Sequence, residues 1–122
     1  AAFLLTGCRT ARPGDTADIV SREVVANMRE LGMILNGVTD ETSAAAAVPK
    51  IKDARAQLRD AARRNKQVPK VDAREAERIG RTMEAGARAA IADIAAARTR
   101  LQARPDLLAI IEPALKNIEN DL

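Results

Sequence analysis

The sequence contains no histidine, tyrosine or tryptophan, and its one phenylalanine is Phe3. Without histidine, the usual proton shuttle of enzymes and the commonest metal ligand are both missing. Beyond residue 3 there is no ring on which a nucleic-acid base could stack. A single cysteine, Cys8, excludes a disulfide within the chain. No glycine-rich phosphate loop occurs, because Gly80 and Gly86 fall inside a helical pattern rather than after a strand. Glu75 and Glu77 would sit on different faces of a helix beside Arg78 and Arg81, which is a poor acid–base pair. These absences predict a protein without enzymatic activity, with no resident metal and no cofactor.

What is present points to helices. Alanine makes up roughly a fifth of the chain, and arginine, leucine and glutamate are common. At 122 residues the chain is one domain with room for a modest core. The net charge of +3 is too small to imply a nucleic-acid partner, and none is expected. Its distribution is uneven. Residues 50–104 hold fifteen basic side chains against seven acidic ones, while both flanks are slightly acidic.

Apolar periodicity predicts an all-α, up-down bundle of three to four antiparallel helices over about 15–37, 42–66, 72–103 and 105–120. The first opens at Asp15 or Thr16 and carries Ala17, Val20, Val24, Val25, Met28, Leu31, Ile34, Leu35 and Val38 inward, with Gly37 as a left-handed cap. The second, capped by Asp40 or Thr42, has the cleanest seam: Ala44, Ala47, Ile51, Ala54, Leu58, Ala61, Asn65 and Val68. Pro49 predicts a kink or a two-piece element there. The third starts with a capping-box-like Asp72 and Glu75 and runs through Ala76, Ile79, Met83, Gly86, Ala90, Ile94, Ala97 and Leu101. Gly80 and Gly86, with Ala87 and Ala90, leave a thin face for a close helix approach. The fourth begins at Pro105, buries Leu107, Leu108, Ile111, Leu115 and Ile118, and is bent or divided by Pro113. Glu30 and Lys50 flank the first turn symmetrically and are expected to face each other. Alanine-rich seams bury little area, so we expect close packing of modest stability or a partly open arrangement.

The opening residues, AAFLLTGCRT, form an apolar run that ends on the lone cysteine and leads into a polar linker, RTARPG. Leu4-Leu5-Thr6-Gly7-Cys8 resembles the lipobox of bacterial lipoproteins. The resemblance implies cleavage before Cys8, acylation of its thiol, and Leu4 to Gly7 as the recognition site. It divides the chain into a signal remnant (1–7), an acylated cysteine with linker (8–14) and a helical domain (15–122). A complete signal has a basic start and a longer apolar core, so the chain is expected to be a fragment of its precursor. Arg9, rather than aspartate, after the cysteine implies sorting to the outer membrane, facing the periplasm. The membrane partner is then a lipid anchor, since a span needs roughly 20 apolar residues and the stub holds only a handful.

The second helix carries a basic ridge of Lys52, Arg55, Arg59, Arg63 and Lys66 at three- and four-residue steps, clear of its seam. Its tip, RRNKQVPK, adds Arg64 and Lys70. A helix returning toward the anchor would hold this tip near anionic head groups, which attract each nearby cation by about 1 kcal/mol. These seven residues are the expected anionic-surface contacts.

A competing class is a small-ligand or metal-binding bundle. NMRELGMILNGV and AAAAVPKIKDA are similar to the first hairpin of the soluble periplasmic b-type cytochromes, in which Met28 would match the haem methionine. The partner histidine is missing from the last helix, so the resemblance implies architecture without haem. Met28, Met33 and Met83 are the available copper(I) ligands, but Met28 and Met33 do not share a helix face well. A third class is a basic adaptor for anionic polymers.

Overall fold

A computed structural model describes residues 12–122. These form four α-helices, α1 (Ala17–Asn36), α2 (Glu41–Asn65), α3 (Ala73–Gln102) and α4 (Pro105–Leu115), followed by a 3₁₀ turn at Ile118–Asn120. The all-α bundle expected from the periodicity is the fold observed. Three caps fix the helix starts. Thr16 accepts from the Ile19 amide, Asp40 and Ser43 form a reciprocal capping box, and Asp72 accepts from the Glu75 amide. The box at α3 is only half made, because the Glu75 carboxylate turns to Arg78.

Consecutive helices alternate in direction, but the packing partners are not all consecutive. α1 packs against both α2 and α3, and α4 packs mainly on α2 with a smaller contact to α3. α1 and α3 lie side by side and parallel. Arg78 reaches Asp18, Gly86 faces Val25, Gly32 faces Asp93 and Ile94, and Arg100 reaches Leu35 and Val38. We call the end holding the α1–α2 turn the head, and the end holding residues 12–16 and 60–75 the foot.

The predicted seams face inward. Leu31, Leu35, Val38, Ala44, Ile51, Leu58, Leu101, Leu107, Ile111 and Ile118 are wholly buried. Most of this core lies toward the head. α4, at 11 residues, extends ~16 Å against ~45 Å for the 30-residue α3, so it cannot wall the foot. Between Ala73 and Thr82 only Ile79 is buried. Ala76, expected in the seam, is exposed for this reason.

Several local expectations are corrected. α2 is one helix through Pro49 rather than two pieces, and Pro113 does not divide α4. Each proline orphans the carbonyl four residues earlier. Pro49 with Ala45 and Pro113 with Ala109 are all exposed, so water can satisfy that group. The fourth helix stops at Leu115 because Asn117 takes a left-handed conformation (φ 60°). Gly37 is right-handed (φ −79°), not a left-handed cap. Its neighbour Val38 turns into the core, and Arg100 donates to the Leu35 and Val38 carbonyls at 3.0 Å each, closing the helix end instead. Glu30 and Lys50 line the same surface grooves, yet no ion pair joins them among the described residues.

Candidate functional site

The foot is organised around Arg64, whose side chain is only 4% exposed. It lies on the last turn of α2, on the side that meets the start of α1. Its Nε and Nη2 donate to Asp15 at 3.1 and 3.3 Å, and Nη1 and Nη2 donate to Glu23 at 3.0 and 2.6 Å. Nη1 also donates to Asp60 at 3.1 Å, one helical turn earlier. Five bonds match the five N–H donors of a guanidinium. No buried side-chain polar atom lacks a partner among the described residues.

The electrostatics follow from this geometry. Hydrogen bonds to Glu23 and Asp15 raise the pKa of Arg64 above its ordinary value. Asp15 is held below the usual carboxylate range by Arg64 and then by the Arg12 amide. Burial pushes Asp60 up, but the hydrogen bond from Arg64 and the charges of Arg12, Arg63 and Arg64 outweigh it, so Asp60 also lies low. Arg64, Asp15 and Asp60 therefore stay ionised at neutral pH.

The basic ridge divides into three kinds of residue. Arg64 is buried. Arg55, 12% exposed, binds Asp121 at 2.5 Å and donates to the Ala114 and Lys116 carbonyls, capping the end of α4. These two are therefore not open to an anionic surface, which corrects the expected contact set. Arg59 and Arg63 are about half exposed, with Asp121 and Asp60 as respective partners at 3.2 and 2.5 Å. Lys52, Lys66 and Lys70 are exposed. Leu4, Leu5, Thr6, Gly7 and Cys8 lie outside the described residues. Where the description begins, Arg12 donates to Asp60 at 3.0 Å, so the chain enters the bundle beside the tip that carries Arg63, Lys66 and Lys70.

A second feature is a groove of about 970 Å³ between α1 and α3. Val25, Ile79, Met83 and Met33 supply apolar lining, and Arg22, Arg29 and Arg81 supply cations. At its floor the helices approach closely, since a Cβ on Gly86 would lie 2.6 Å from Val25 Cγ1. Met28 points into the core while Met33 and Met83 line this groove, so the three methionines are not brought together. Among the described residues no group of three or more histidine, cysteine, aspartate or glutamate side chains could hold a metal. No helix among them is long and apolar enough to cross a membrane.

Sequence reasoning placed Arg64 on the surface and missed the roles of Arg55 and Arg100. Asp60 lies one turn away on the same helix, but Glu23 comes from α1 and Asp15 from the residues just before it. No family model, curated protein or solved structure matches the chain.

Proposed function

We propose that this protein is a lipid-anchored helical bundle of a bacterial cell envelope, non-enzymatic and with a structural or protein-interaction role. The observation that carries this reading is the Leu4-Leu5-Thr6-Gly7-Cys8 motif, placed directly before a polar linker and using the only cysteine. The geometry of the foot is compatible with it. Arg12 bonded to Asp60 and Asp15 bonded to Arg64 tie the linker to the exposed basic tip. A lipid on Cys8 would then bring Arg63, Lys66 and Lys70 toward the head groups, and the bundle would stand on its foot with α1 leading away from the bilayer. The lack of histidine supports a non-catalytic role.

Intact mass of the protein from its native host tests the anchor. Loss of residues 1–7 together with acyl mass on Cys8 is the expected result, and a bare thiol with residues 1–7 retained overturns the placement. The orientation is tested separately with the Cys8→Ser form and vesicles containing anionic lipid. Binding should weaken with salt and fall about tenfold or more when Arg63, Lys66 and Lys70 are reversed to glutamate. Insensitivity to both rejects the basic foot as a contact.

A further inference from the structure

The groove between α1 and α3 has properties that the anchoring role does not use. It follows α1 from Asp18 to Met33, ~22 Å of helix. Its volume of about 970 Å³ lies within the roughly 300–1,000 Å³ of ligand sites. A furrow of this length suits a linear chain better than a compact ring system. Two of its apolar residues are methionines, whose unbranched side chains adapt to variable hydrocarbon. Met33 is 68% exposed, a high value for so apolar a side chain.

The charges on the rim select the head group. Asp18 is already taken by Arg22 at 2.8 Å and Arg78 at 3.2 Å, and Arg81 is paired with Glu77. Glu30 stands on the rim as well and is shared with the adjoining grooves that Lys50 lines, without an ion pair between the two among the described residues. Arg29 has no ion-pair partner among the described residues and stands one turn from both Ala26 and Met33. Its guanidinium is therefore available to a carboxylate, which it can grip with two parallel N–H bonds.

We propose that this groove binds a free single-chain alkyl carboxylate, with its carboxylate on Arg29 beside Met33 and its chain over Val25, Met83 and Ile79 toward the foot. The site does not depend on whether Cys8 is acylated. The opening along one side leaves part of the ligand in water, so binding is moderate and exchanges quickly.

The test uses the full chain carrying Cys8→Ser, with decanoate and 1-decanol as probes below any micelle-forming concentration. The three methionine methyl groups are the reporters. Decanoate should shift the Met33 and Met83 signals saturably and leave the core Met28 signal nearly still. Affinity should rise roughly two- to fourfold per methylene from octanoate to dodecanoate. Arg29→Gln should weaken decanoate about three- to tenfold without changing decanol. Thr82→Trp, on the exposed rim, should block both ligands while thermal unfolding monitored by circular dichroism stays cooperative. Non-saturating shifts, equal shifts at all three methionines, or carboxylate binding unchanged by Arg29→Gln would overturn the proposal.

Discussion

At the head of the bundle, Leu31, Leu35, Ile51, Leu101, Leu107 and Ile111 are wholly buried in one core between four helices. At the foot, the corresponding central position belongs to Arg64 and three carboxylates, and α3 leans on α1 without help from α4. Apolar burial is non-directional and tolerates small shifts, whereas five hydrogen bonds to one guanidinium fix both distance and angle. The head therefore supplies most of the stability. The foot supplies registry, holding the incoming linker, α1 and the end of α2 in one arrangement.

Two substitutions test that division. Ile111→Ala should cost about 2–5 kcal/mol in urea unfolding, in the upper half of that range because the side chain is wholly buried. Arg64→Met should cost about 3 kcal/mol, because it takes the guanidinium away from Asp15, which is only 8% exposed, while Asp60 keeps Arg12 and Arg63. Glu23, 38% exposed, recovers water and keeps the loss from being larger. If Arg64→Met is neutral, the cluster is ornament and the foot is held by something else.

Acid separates the two regions further. Asp15 and Asp60 ionise more readily folded than unfolded, so the stability they lend is complete above about pH 4. That stability is lost as the pH falls through their folded values. The gap between wild type and Arg64→Met should thus narrow below about pH 4, while the gap to Ile111→Ala stays constant. A gap to Arg64→Met that does not change across this range would show that charge is not what the foot relies on.

Much of the fold was legible because helix periodicity and capping are local. The seam from Ala44 to Ala61 is buried at every expected step. What could not be read is which helix lies beside which. That depends on how far α4 extends and on which arginines turn inward, and both are tertiary outcomes. Arg55, Arg64 and Arg100 look alike in sequence to the exposed Arg74 and Arg88. Only the nearby carbonyls of Ala114, Lys116, Leu35 and Val38, and the acids of α1, distinguish them. Lys52, Lys66 and Lys70 stay exposed for the same reason: among the described residues no partner from another helix reaches them.

Two glycines on α3 sharpen the comparison at the scale of one methyl group. Both were expected to thin the helix for a neighbour, but only Gly86 does so. A Cβ there would sit 2.6 Å from Val25 Cγ1, closer than real side chains approach, and Val25 is itself packed in place. Gly86→Ala should cost about 1–3 kcal/mol as α1 and α3 are pushed apart. At Gly80 an added Cβ meets nothing within 4 Å among the described residues, because this position lies on the exposed side of α3. Gly80→Ala should therefore stabilise by up to about 1 kcal/mol, through helix propensity and a less flexible unfolded chain. The same change, six residues apart on one helix, should move the unfolding midpoint in opposite directions. Destabilisation at both positions would mean that α3 has a neighbour at the foot that this arrangement of helices does not supply.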